Sequence, residues 1–185
     1  EDYVWIKQGG AVTGTGNSEL DLYACNSEAV SAPGDYDGHG GSSGVGTGGL
    51  SKVDQTVKKD SHPCLPYGVD VRQPAEEGSS GFYSTYIGMP GKGGAALRLT
   101  VANELRVDGT LASGGASGES TTITSLSHCG GGGGGGGSLW LEVGSVAGTG
   151  TVHVNGGAAV RHSVYPGRYG VGGSGAAGAI ALYIE

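Results

Sequence analysis

A strand motif recurs along this chain, and its spacing constrains the fold more than any other feature. Gly136-Gly137-Ser138-Leu139-Trp140-Leu141-Glu142-Val143 places apolar side chains at every second position, the period of a strand with one buried face. The same glycine pair and alternation occur in Gly93-Gly94-Ala95-Ala96-Leu97-Arg98-Leu99-Thr100-Val101, with Leu97 lying 42 residues before Leu139. Gly178-Ala179-Ile180-Ala181-Leu182-Tyr183-Ile184 restarts the pattern, with Ile180 lying 41 residues after Leu139. Two of these strands are followed by a second short one ending in a glycine pair, within Asp108-Gly109-Thr110-Leu111-Ala112-Ser113-Gly114-Gly115 and within Gly150-Thr151-Val152-His153-Val154-Asn155-Gly156-Gly157. Val4-Trp5-Ile6 reads as a further first strand, and Val12-Thr13-Gly14-Thr15-Gly16 mirrors Val146-Ala147-Gly148-Thr149-Gly150.

A strand pair this short cannot bury its own apolar face, whereas stacking equivalent units buries a continuous one. The expected fold is therefore all-β: a repetitive stack of the parallel β-helix or β-solenoid kind, with packed polyglycine segments and one long irregular insertion. Val4–Ile6, Leu97–Val101, Leu139–Val143 and Ile180–Ile184 are expected at equivalent positions in successive layers. The organisation that follows is a first strand pair over 1–24, an irregular insertion over 25–90, repeat units over 91–135 and 136–177, and the start of another at 178–185. The insertion carries five of the six prolines. Within it, 52–60 is the one helix-compatible piece and 79–86 a candidate short strand. The abrupt start and finish within strand-like runs read as an excerpt from a longer polypeptide.

Glycine supplies 42 of 185 residues, about threefold above its usual ~7%. Gly130 to Gly137 is an unbroken run of eight. Glycine-rich stretches recur at one place, just before each first strand, so they are expected to pack side by side through their backbone amides, where close approach requires glycine. The alternative is a loose loop at each repeat edge.

Charged residues are 15% of the chain and the net charge is −7. Nucleic-acid binding, which depends on Lys and Arg neutralising phosphates, is not expected. No apolar run approaches the ~18 residues of a membrane-spanning helix. Cys25, Cys64 and Cys129 leave one cysteine over after a single bridge, and a bridge implies an oxidising compartment. The sequence does not choose among the three pairs.

Chemical constellations are sparse. Asp35 and Asp37, in Asp35-Tyr36-Asp37-Gly38, resemble a fragment of a calcium loop, but the remaining ligand positions are missing and a solvated turn explains them as well. His62 with Cys64, and His128 with Cys129, hold zinc-ligand types at spacings unlike zinc motifs. Asp70, Glu76 and Glu77 could supply a glycosidase pair only if they flank a cleft. No phosphate-binding loop occurs and no residues are marked as a catalytic pair, so no enzyme activity and no cofactor are expected. Trp5, Trp140, Tyr83, Tyr86, Tyr165 and Tyr169 are candidate aromatic contacts for a partner or glycan, with Trp5 and Trp140 expected at one repeat position and burial in a second apolar face as the plainer reading. Ile180, Leu182, Ile184, Val4 and Ile6 are the candidate assembly face.

The pattern of a glycine pair, alternating Leu or Ile, then Gly-Thr-Val/Leu, then a second glycine pair resembles the Gly-rich β-solenoid repeats of large extracellular filament and adhesin proteins. Mastigoneme-like flagellar hair proteins of protists are one such group. The likeness covers 4–17 and 93–185, not the insertion. It implies a structural segment of an extracellular filament or cell-surface appendage, partnered by other copies or adjoining segments. An adhesin recognising glycan or another surface is the alternative, and a polysaccharide-active β-helix enzyme is third.

Overall fold

The computed structural model describes residues 3–14, 41, 43–49, 52–53, 56–57, 66, 68, 70–81, 89–119, 131–165 and 168–185. Eleven strands occur among them and no helix. They are β1 (Val4–Ile6), β2 (Ala11–Thr13), β3 (Lys52–Val53), β4 (Thr56–Val57), β5 (Ala96–Val107), β6 (Thr110–Ala112), β7 (Ser138–Ala147), β8 (Thr151–His153), β9 (Arg161–Tyr165), β10 (Arg168–Val171) and β11 (Ala179–Ile184).

These strands form three sheets. A four-stranded parallel sheet has the order β1-β5-β7-β11, and a three-stranded parallel sheet the order β2-β6-β8. The third sheet is antiparallel, in the order β4-β3-β10-β9. The solenoid-like stack expected from the repeat is thus corrected: the strands divide into separate sheets of mixed kind. The piece of the irregular insertion read as helix-compatible supplies two short strands instead, β3 and β4, and β3 pairs with a hairpin drawn from what was read as a repeat unit. Spacing in the sequence fixes which strands lie in register. It does not fix the path of the chain between them.

The register of β1 also departs from expectation. Val4 pairs with Leu105, not Leu97, so β1 lies beside the second half of β5. Trp5 accordingly stands beside Arg106 and Trp140 beside Arg98, at different positions along the sheet. Val12 is equivalent to Leu111 and Val152 rather than to Val146.

Alternation builds the core. Leu97, Leu139 and Ile180 are in register across β5, β7 and β11, as are Leu99, Leu141 and Leu182, and then Val101, Val143 and Ile184. A register shift between Val101 and Glu104 sets residues 102–103 of β5 against Gly144, the two-against-one count of a β-bulge. A Cβ on Gly144 would meet the Ala102 and Asn103 carbonyls at 2.6 and 2.7 Å, so the bulge needs glycine there. Beyond it Leu105 and Val107 return to the core face. With Ile6, Leu111, Val101, Leu139, Leu141, Val143 and Val154 they form one buried cluster that joins the two parallel sheets. Burying each such side chain stabilises the fold by about 1.5–3 kcal/mol.

Beside this core, Gly131–Gly137 runs through the protein with its amides bonded outward. Gly131, Gly134 and Gly137 donate to the carbonyls of Glu119, Ala116 and Ser113, at 3.0, 2.9 and 2.8 Å. Gly133 and Gly136 donate to Gly173 and Ala176, and Gly91 and Gly94 donate to Gly132 and Gly135. Each neighbour is met at every third residue, the repeat of an extended left-handed helix without internal hydrogen bonds. A Cβ on Gly134 would overlap the Lys92 carbonyl. Backbones lie in contact here with no room for side chains.

Candidate functional site

The feature of this molecule most open to a function is the pair of outer edges on its parallel sheets. Leu111 is fully buried in the central strand β6, while its register partners Val12 and Val152 in the edge strands are 39% and 37% exposed. In the larger sheet Leu139, Leu141 and Val143 are buried, and Ile180, Leu182 and Ile184 beside them are exposed. The residues share one face of one sheet; β7 has a strand on both sides and β11 has one. Among the expected assembly-face residues, Val4 is exposed and Ile6 is buried in the core. Ile6 is therefore part of the fold rather than a free contact.

On the opposite face of the larger sheet, polar side chains tie neighbouring strands together. Arg98 of β5 meets Glu142 of β7 at 2.9 Å, and Thr100 donates to the same carboxylate oxygen at 3.0 Å. The hydrogen bond from Arg98 is the main cause that holds the Glu142 carboxyl below its usual range, supported by Thr100. The Arg98 guanidinium also lies 3.9 Å from the centre of the Trp140 ring, within cation–π distance.

A second cluster centres on Asp108, at the bend between β5 and β6. Its Oδ2 accepts from Arg106 Nε at 2.8 Å and from Trp5 Nε1 at 3.0 Å, and its Oδ1 accepts from the Thr149 amide at 3.1 Å. One carboxylate thereby links β1, β5 and the bend after β7. Arg106 and then Trp5 lower its pKa, and Asp108 in turn raises that of Arg106. Lys7 lies 5.0 Å over the Trp5 ring. Each tryptophan is thus engaged by a cation from its own chain.

These polar residues were not singled out in the sequence. A signal was available: Arg98 and Trp140 occupy the same place in Leu-Arg-Leu and Leu-Trp-Leu, 42 residues apart, and so stand side by side in the sheet. Tyr165 and Tyr169 fall in β9 and β10 of the antiparallel sheet. Cys25, Cys64, Cys129, Asp35, Asp37, Tyr83 and Tyr86 lie outside the described residues, as do His62 and His128. Asp70 is exposed and accepts from the Arg72 amide at 2.9 Å. Among the described residues no three His, Cys, Asp or Glu side chains gather into a metal-binding group, and no helix is long and apolar enough to cross a membrane.

In comparisons with known proteins, the chain matches no family model, no curated protein and no solved structure.

Proposed function

We propose that this chain is a structural section of an extracellular filament or cell-surface appendage, and that it assembles by adding strands to the edges of its parallel sheets. The observation that carries this reading is the contrast in exposure between register partners. Leu111 is buried while Val12 and Val152 on either side are not, and Leu141 is buried while Leu182 is not. A strand laid along either edge would give those residues the environment that the central strands already have. Exposed, flat, apolar strand edges are a template for pairing with another chain. The glycine bundle supports a structural role, since backbone packed against backbone suits a rigid scaffold rather than a moving one.

Negative-stain electron microscopy of the purified chain over a concentration series tests this. Elongated particles that lengthen with concentration are the expected result. A monodisperse monomer at every concentration would overturn the proposal.

A further inference from the structure

After β8 the chain enters the glycine bundle, and Val154–Gly157 is gripped there on several sides. Gly178 donates to the Val154 carbonyl at 2.8 Å and Gly115 to that of Asn155 at 2.9 Å. Gly157 donates to Gly134 at 2.7 Å and accepts from Gly175 at 2.9 Å. In an extended helix with about three residues per turn, Asn155 and Ala158 fall on the same side, and both are exposed, while Gly157 between them is buried. A Cβ on Gly156 would overlap the Gly175 carbonyl, so the close approach of backbones requires glycine after Asn155.

The packing thereby fixes the dipeptide Asn155-Gly156 in a chemically unguarded state. Neither the Asn155 side chain nor the Gly156 amide makes a hydrogen bond among the described residues. With no side chain on Gly156, nothing on that residue shields its nitrogen.

We infer that Asn155 is a site of spontaneous covalent modification, at which the chain converts to isoaspartate and so loosens its own glycine bundle with age. The Gly156 amide nitrogen attacks Cγ of Asn155. An N–Cγ bond forms, the Cγ–Nδ2 bond breaks, and Nδ2 leaves as ammonia with the amide proton. Water then opens the cyclic imide. Attack at Cγ gives aspartate on the original main chain. Attack at the main-chain carbonyl gives isoaspartate, in which the chain runs through Cβ and Cγ.

Isoaspartate puts one extra atom into the main chain, and a bundle held by backbone register has no slack to absorb it. The bond between Gly178 and Val154 lies before that atom and persists. Gly157 lies after it, and its bonds to Gly134 and Gly175 are displaced. Asp108-Gly109 is a contrast within the same molecule. It could form the same imide by losing water, but the Asp108 carboxylate holds three hydrogen bonds and the Gly109 amide donates to Ile6 at 3.0 Å.

Ageing the folded chain in mildly alkaline buffer, beside a sample unfolded in urea, tests the inference. Peptide mapping by mass spectrometry reads the change from amide to acid, and labelling with an isoaspartyl methyltransferase reads isoaspartate. In the folded sample the peptide holding Asn155 should change and take up label, while the peptide holding Asp108 should be labelled in urea alone. The thermal midpoint of the folded chain should fall as label at Asn155 rises. Asn155→Gln closes its larger imide far more slowly and should keep its midpoint over the same period. Asn155→Asp, measured fresh, should match the fresh unmodified chain, which assigns the loss to the added main-chain atom rather than to the charge.

An Asn155 that reacts in urea but not in the folded chain would show that the bundle holds the two groups apart, and would overturn the inference. A Gln variant that loses its midpoint as fast as the unmodified chain would place the ageing elsewhere and overturn it as well. A fresh Asp variant already as unstable as the aged chain would make charge the cause and remove the role of isoaspartate.

Discussion

Leu141 and Leu182 stand side by side in adjacent parallel strands, on one face of one sheet, yet Leu141 is 3% exposed and Leu182 48%. The two are the same residue type in different places: β7 has a strand on each side and β11 has one among the described residues. In the single copy the two leucines should therefore respond very differently to truncation. Leu141→Ala opens a cavity in the core and is expected to cost about 2–5 kcal/mol. Leu182→Ala should stay within about 0.5 kcal/mol, as surface substitutions do. Urea denaturation below the concentration at which copies associate measures both. Equal losses would show that Leu182 is already buried by something within the chain.

Gly134 should be among the least replaceable positions. A Cβ there would overlap the Lys92 carbonyl, and its own amide and carbonyl are bonded to Ala116 and Gly157. Gly134→Ala must push away the backbone of Gly91 and Lys92, and overpacking of this kind costs about 1–3 kcal/mol or more. Gly9 is the useful contrast. Its φ is +78° but nothing lies within 4 Å of where a Cβ would go, so Gly9→Ala should cost only the ~1–2 kcal/mol of a left-handed backbone. A thermal denaturation series should rank Gly134→Ala as the more damaging of the two.

Period-two alternation was enough to locate β5, β7 and β11, and the 41–42-residue spacing was enough to put Leu97, Leu139 and Ile180 in one ladder. Both signals are local or depend on evenly spaced repeats. Val4-Trp5-Ile6 carries only three residues of alternation, too few to fix a register, and it was placed beside Leu97 when it belongs beside Leu105. The antiparallel sheet was missed for a related reason. Lys52–Val53 and Thr56–Val57 are two-residue strands, with no periodicity to read, and their pairing with β10 joins segments far apart in the chain. The exposed edges could be suspected from Ile180, Leu182 and Ile184.

The three cysteines lend themselves to a direct measurement. If the proposed extracellular role holds, two of Cys25, Cys64 and Cys129 are expected to be joined in one bridge. Alkylation without reductant, followed by intact-mass measurement, should then label a single thiol. Three labelled thiols would argue against an oxidising compartment.

Acid should loosen the chain by releasing its strand-to-strand carboxylates. Asp108 and Glu142 are both held below their ordinary pKa, Asp108 chiefly by Arg106 and Glu142 chiefly by Arg98. A group whose pKa is lower folded than unfolded adds stability above its unfolded pKa, and that stability is lost as pH falls through the folded value. The loss should therefore begin near the ordinary carboxylate range, about pH 4, and continue below it, with little change from neutrality down to that point. Asp108→Asn removes one of the two contributions and weakens the tie among Trp5, Arg106 and Thr149, so its denaturation midpoint should fall at pH 7 and change less between pH 5 and pH 2. A variant whose midpoint tracks the unmodified chain across that whole range would show that Asp108 titrates identically in the folded and unfolded states, and that its contacts contribute nothing to holding β1 on the sheet.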